Sequence, residues 1–385
     1  MNREIKEVEK LLSEIDKICK REGIPYYLGP QLTLCCITGQ EITNPHAGVI
    51  YMRTADMERF RLAFEKEPQD GRIVESMNNN KRFYGFFLRY TDLNTLCFRL
   101  NEGRNYKYPG MGVDILPLRG KQHFRLAHLW TRAQEVGWNE LGDYYGDRWG
   151  KKKAFCRMAM RLRLLTGRGR LAKGLYRMLC RRMNVENTQE YVVRLKKKAV
   201  YFPVEIFDET RTVEIDGKKF PVPADTDTYL RKYYGADYQQ KILPVYTPKV
   251  SEMVSARIRY EDYFQEVGNQ NRFIKMRIRA RKKSGRASRK KKYLNWSWNY
   301  VKFCAYKIEL EKYYLDKKDY IINLYKNKDY PALEKVFTPY TKATTKSLKN
   351  NEIFIPDEEI HHIYMDVLNK AGRPKLKARI EKLWK

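Results

Sequence analysis

Metal-binding and disulfide patterns are largely missing from this chain. Only five His occur in 385 residues, and the seven cysteines (Cys19, Cys35, Cys36, Cys97, Cys156, Cys180 and Cys304) are odd in number and form no C-x-x-C pair. That argues against a thiolate zinc site and against a disulfide framework, and leaves buried reduced thiols as the expectation. Long apolar runs are also missing: "LTLCCI" is typical, far short of the ~20 residues that span a bilayer. The first residues read as a charged helix and not as a signal peptide. The expected location is therefore cytoplasmic, with peripheral contact at the inner membrane face as the one membrane role left open. Acids are absent from two stretches: residues 151–184 and 271–292 each hold twelve Lys or Arg and no Asp or Glu.

Those two stretches carry 24 of the 31 excess positive charges, so the basicity is local and suits anionic contacts at defined places. The remainder looks globular. With 43% hydrophobic and 32% charged residues, 385 positions can bury a sizeable core in two domains, or in one domain with an appendage.

Residues 3–22 place Ile5, Val8, Leu11, Leu12, Ile15, Ile18 and Cys19 at intervals of three and four, which predicts an amphipathic helix stopped by Gly23 and Pro25. "YYLGPQLTLCCI" reads as a strand, a Gly-Pro turn and a short apolar element. "AGVIYM" reads as a buried strand, and "TADMERFRLAFEK" as a helix capped by Thr54 with Asp56 in its first turn. "FYGFFLRYTD" and "NTLCFRLN" suggest two strands paired around Asp92–Asn94, and "GMGVDILPL" a strand with Asp114 in its middle. Residues 121–200 look mostly helical and basic. "VEIDGKKFPVP" predicts a hairpin turning at Asp216-Gly217, followed by the capped helix "DTDTYLRKYYG". Beyond a boundary near 250 come helices rich in Tyr and Lys, with no internal repeat.

The succession "KREGIPYYL", a Gly-containing turn, "VIYMRTADMERF", "LRYTDLNT", "GVDILPLRG" and "YFPVEIFDETRTVEIDGKKFPVPADTDTYLRKYYGADY" resembles the LicD/fukutin-type phosphotransferases over roughly residues 8–240. The resemblance implies an α/β (α+β) fold: a nucleotidyltransferase-like palm with a mixed sheet flanked by helices. The domain would span 1–250, with a basic helical insertion about 121–200 and a basic helical region 251–385 after it. It implies transfer of a phospho-head group, such as phosphocholine, from a CDP-linked donor to a glycan or lipid-linked polymer acceptor at the cell surface, with Mg²⁺ as cofactor. Asp114 would be the catalytic acid, Asp114 and Glu41 the metal ligands, and Arg89, Asp92, Asn94, Thr95 and Gln31 the substrate-binding set.

One departure bears on that activity. Where the family carries an acid-rich stretch, this chain has Pro45, His46, Ala47 and Val49. Phosphoryl transfer needs the phosphate charge neutralised, usually by Mg²⁺ on one or two carboxylates, and a strand presents Asp-x-Asp to one metal because residues i and i+2 share a face. A single imidazole does not replace two carboxylates, because Mg²⁺ prefers hard oxygen ligands. The alternative is a catalytically impaired relative that binds nucleotide, glycan or a partner enzyme. His46 itself reads first as a capping or surface histidine and second as a ligand. For the basic segments, "KAFCRMAMRLRLLTGRGRLAKGLYRMLCRRM" puts apolar and basic residues at helical spacing, which suits an anionic membrane surface or polymer, beside a plain solvated face. No nucleic-acid motif is recognisable, so nucleic acid is the weakest partner class.

Overall fold

The structure, a computed structural model, describes residues 3–76, 78–80, 83, 86–99, 108–123, 126, 174, 177, 178, 180–182, 187–194, 199–247, 252–267 and 289–384. Most of the expected basic helical insertion, and most of the basic stretch 271–292, lie outside these residues. The described chain is mixed α and β and divides into two compact units: 3–260 with 289–294, and 261–267 with 295–384. No described helix is long and apolar enough to cross a membrane.

The first unit is built on a mixed sheet. Helix α1 (Arg3–Glu22) forms where the apolar spacing predicts it and buries that stripe from Ile5 to Cys19. Strand β1 (Tyr27–Leu28) turns through Gly29 into α2 (Pro30–Thr38), which is the short apolar element of the sequence. Then follow β2 (Val49–Arg53), α3 (Thr54–Lys66), β3 (Arg72–Glu75), β4 (Leu88–Asp92), β5 (Leu96–Arg99) and β6 (Met111–Gly120). The sheet order is β1-β2-β6-β4-β3, and β2 runs parallel to β6 with Val49 opposite Asp114 and Met52 opposite Pro117. The strands at "AGVIYM" and "GMGVDILPL" are thus immediate neighbours. At its far end β6 also pairs with β7 (Glu190–Arg194), which pairs with β8 (Ala199–Pro203).

Alternation along the strands gives the sheet two different faces. Ile50, Met52, Val113, Ile115 and Tyr90 join Val8, Leu11, Leu12 and Ile15 of α1 and Phe60 of α3 in one core. On the other face, Tyr27, Tyr51 and Leu118 join Phe202, Phe207, Tyr229 and Leu230. Gly48 shows how closely α1 and β6 approach: a Cβ there would lie 3.0 Å from Val8 and 3.1 Å from Val113.

Two local expectations are corrected. Thr54 does not cap α3; it is the first helical residue, Arg53 occupies the cap position without a side-chain hydrogen bond, and the Thr54 hydroxyl is buried without a partner. Nor do the strands either side of Asp92–Asn94 pair with each other. The Asp92 carboxylate accepts the Asn94 N–H at 2.7 Å, while Thr95 Oγ1 donates to the Asp92 carbonyl and accepts from Met111 N, both at 2.8 Å. That turn sends the chain out of the sheet, so β4 bonds β3 and β6 while β5 bonds the distant strand β11 (Glu252–Ser255). The hairpin β9 (Thr210–Ile215) and β10 (Lys218–Pro223) forms as expected, with Asp216 and Gly217 both at positive φ (49° and 73°). Helix α4 (Thr226–Tyr234) follows, capped by Asp225 on Thr228 N at 2.9 Å.

In the second unit α6 (Arg289–Asp316), of which residues from 295 onward belong here, joins α7 (Lys318–Lys326), α8 (Tyr330–Ser347), α9 (Glu358–Lys370) and α10 (Pro374–Trp384), preceded by α5 (Tyr260–Glu266). Its core is rich in tyrosine: Tyr314, Phe337, Tyr340 and Tyr364 lie in mutual ring contact. The buried His361 faces Tyr340 Oη across 2.6 Å, and burial, with the nearby His362, pulls its imidazole down to about 4.

Leu11 of α1 is fully buried against the sheet. Replacing it by Ala is expected to cost about 2–5 kcal/mol, read as a lower urea midpoint of the transition that unfolds the first unit. A change under about 0.5 kcal/mol would contradict the central place given to α1.

Candidate functional site

Four neighbouring strands place four side chains in one row on the sheet face opposite α1. In register across β3, β4, β6 and β2, these are Glu75, Arg89, Asp114 and Val49. Arg89 Nη1 donates to Asp114 Oδ1 at 2.8 Å; the arginine side chain is 6% exposed and the aspartate 15%. Glu75, fully buried, accepts a hydrogen bond from Asn80 Nδ2 at 2.6 Å. In register Arg89 therefore stands between two acidic residues in the interior of the sheet, with its guanidinium bonded to Asp114. Gly112 makes room for it, because a Cβ there would lie 3.0 Å from Arg89 Nε and 2.6 Å from the Tyr90 carbonyl.

The arrangement at Asp114 differs from the one a strand-held metal requires. Val49, its register partner, offers no oxygen, and Ala47 and Pro45 before it are buried and apolar. Glu41, the second expected ligand, is exposed on the loop that follows α2. Among the described residues no group of three or more His, Cys, Asp or Glu could hold a metal ion. The β2–β6 pair thus supplies one carboxylate, already paired with an arginine, and those residues do not by themselves make a Mg²⁺ site.

The expected substrate-binding residues are divided between the two faces of the sheet. Arg89 is beside Asp114. Asp92, three residues further along β4, points to the opposite face, where Arg72 Nη1 reaches its carboxylate at 2.5 Å. Arg72 also clamps Glu14 of α1 with two hydrogen bonds, 2.6 and 2.9 Å long, and the Tyr90 hydroxyl, with one proton to give, lies 3.0 Å from the Glu14 carboxylate and 2.8 Å from Gln69 Oε1. Asp92, Asn94 and Thr95 are engaged in the turn described above, with Asn94 exposed. Gln31 lies half-buried in the first turn of α2.

Two acids, one on each face of the sheet, have no clear signal in the sequence. Glu75 ends the short strand "RIVE", where an acid following Ile-Val was the available signal. Glu7 was hidden in the polar positions of α1. Burial first, and then the neighbouring Asp92 carboxylate, push Glu7 up to about 7, against the pull of Lys10 and Arg72. Asp56, expected in the first turn of α3, is there and pairs with Arg59 at 2.9 Å.

His46 is neither a cap nor a free surface residue. Its backbone N–H is held by Asn44 Oδ1 at 2.9 Å, and its ring lies between Glu252 Oε1, 2.6 Å from Nε2, and Cys97 Sγ, 3.9 Å from Nδ1. Glu252 follows His46 by 206 residues, which is why no local pattern announced it.

No known protein family, curated protein or solved structure matches the chain.

Because Glu7 ionises at about 7 in the fold against an ordinary 4.5, its contribution to stability is complete below 4.5 and is lost as pH rises through 7. Glu7→Gln removes that loss. The variant is expected to be more stable than the parent at pH 8, by up to about 3 kcal/mol, with the gap closing towards pH 4.5. Denaturant titrations at several pH values check this; a gap independent of pH would contradict it.

Proposed function

We propose that the first unit is a LicD-like, nucleotidyltransferase-type domain that binds a CDP-linked donor and has lost metal-dependent transfer. Three features support the palm-like reading. A strand, a Gly-Pro turn and a helix (β1, Gly29, α2) lead into β2; β2 runs parallel to β6; and Asp114 lies in register with the last position of the degenerate acidic stretch, Val49. The observation that carries the loss of transfer is the Arg89–Asp114 pair. An arginine neutralises the one carboxylate at the place where transfer would need a divalent ion and a second acid.

Chemically, such a site can still recognise phosphate. Arginine binds phosphate in a planar, bidentate manner, and a donor phosphate would compete with the Asp114 carboxylate for Arg89. The donor oxygens would not be polarised by a strand-held metal, so binding would proceed without cleavage of the phosphoanhydride. The local basicity of the chain, +24 in two stretches, suits a phosphate-rich glycopolymer acceptor or the anionic inner face of a membrane. A phosphotransferase reading, with Asp114 and Glu41 holding Mg²⁺ and moving phosphocholine to a glycan, is the competing account.

The test is calorimetric titration with CDP-choline and CDP-ribitol, run beside an assay for CMP release in Mg²⁺ or Mn²⁺. Binding in the micromolar to millimolar range is expected, weakened about tenfold or more by Arg89→Met, with no CMP released. Metal-dependent CMP release that Asp114→Ala abolishes would overturn the proposal in favour of the transferase. Absence of binding to either donor would overturn it altogether.

A further inference from the structure

A second constellation in the first unit lies away from the Arg89–Asp114 row. Strands β5 and β11 form an antiparallel ribbon in which Cys97 faces Val254 and Arg99 faces Glu252. Directly opposed residues share a side, and so do residues two apart, so Cys97 and Glu252 project from the same side of the ribbon. The loop entering β2 delivers His46 between them. That loop is fixed by its own turn, Ala47 N to Asn44 O at 2.9 Å, and by the segment 241–246, where Leu243 N donates to Gln40 Oε1 and Tyr246 N to Thr43 Oγ1. Tyr246 closes one flank, its ring edge-on to the imidazole at 5.9 Å.

We propose that Cys97, His46 and Glu252 form a thiol-activating relay that reduces hydroperoxides, with Cys97 Sγ as the nucleophile, His46 as its proton donor and Glu252 as the group that orients the imidazole. Both ring nitrogens have partners: Nε2 lies 2.6 Å from the Glu252 carboxylate, whose side chain is fully buried, and Nδ1 lies 3.9 Å from the sulfur, contacts that a doubly protonated ring satisfies as donor to both. Burial works to lower the imidazole, but its bonds to Cys97 and Glu252 outweigh burial and lift it to about 9, so it stands as an imidazolium at neutral pH. The buried Glu252 carboxylate, 2.6 Å from Nε2, orients the ring so that Nδ1 faces the sulfur.

The choice of electrophile follows from access and from the backbone. Cys97 is only 5% exposed, and His46 presents about a quarter of its side chain to solvent, which restricts access to a small reactant and excludes a polymer. Acyl transfer would also need N–H donors for an oxyanion, yet the Cys97 N–H is already given to the Pro109 carbonyl at 2.5 Å. Attack on a hydroperoxide needs no such hole. The thiolate forms an S–O bond to one peroxide oxygen while the O–O bond breaks. The departing oxygen takes the Nδ1 proton of His46 and leaves as water or alcohol. Sulfur is oxidised by two electrons to the sulfenic acid and the peroxide is reduced by the same two.

The experiment exposes the full chain to hydrogen peroxide, traps sulfenic acid with dimedone and maps the adduct by peptide mass spectrometry. Burial raises Cys19, Cys35, Cys36 and Cys304 above the ordinary value, and the peptide map separates Cys97 from Cys156 and Cys180. At about pH 6.5 the Cys97 peptide should label about tenfold or more faster than in His46→Gln and faster than in Glu252→Gln, and Cys97→Ser should remove the adduct. Equal labelling in the parent and a folded His46→Gln variant, or no labelling before denaturation, would overturn the relay. Should the variants fail to fold, iodoacetamide alkylation of the parent chain decides. A rate that levels off below the ordinary thiol value of about 8.5 supports the relay, and a rate that climbs through that value like a free thiol overturns it.

Discussion

The charge pair between Arg89 and Asp114 is the constraint around which the central sheet is arranged. Two charged groups in the middle of neighbouring strands are expensive to remove from water, and neither could remain there alone. Glycine at 112 leaves the space in which the guanidinium lies, and the parallel pairing of β2 with β6 brings Val49 against the other side of Asp114. On the proposed function, the same pair is what sets this site apart from a metal site. A carboxylate already balanced by an arginine has less to offer a divalent ion, and the neighbouring strand brings no second one.

The opposite face of the sheet repeats the theme with different residues. Arg72 collects Glu14 and Asp92 beneath α1, and Tyr90 adds its hydroxyl to Glu14. This cluster fastens α1 to β3 and β4 through charge while the apolar stripe of α1 supplies most of the burial. Asp92 is consumed by that architecture and by the turn to Asn94, so of the segment "LRYTDLNT" Arg89 and Thr91 project from the face that carries Asp114, and of the expected binding residues in it Arg89 alone does.

How much of this was legible depended on how local each signal was. Helix α1 and the Asp216-Gly217 hairpin were readable because periodicity and turn chemistry act over a few residues. The adjacency of β2 and β6 is visible only in the fold, since no local pattern links residue 49 to residue 114. The misreadings have the same origin in reverse: Leu88–Asp92 and Leu96–Arg99 look like a hairpin in sequence, but Thr95 binds Met111 and diverts the chain towards β11. Thr54 has the right identity for a cap and the wrong position by one residue. His46 looked like a surface residue because its two partners, at 97 and 252, are distant in the chain.

The most direct measurement of the central claim is a double-mutant cycle on the pair, with Arg89→Met, Asp114→Asn and the combination, followed by denaturant unfolding. Each single change should cost about 3 kcal/mol or more, and the double change should cost less than their sum by at least about 1 kcal/mol. Additive costs would contradict the account, because they would mean that Asp114 does not depend on Arg89 for its charge balance and remains available to a metal.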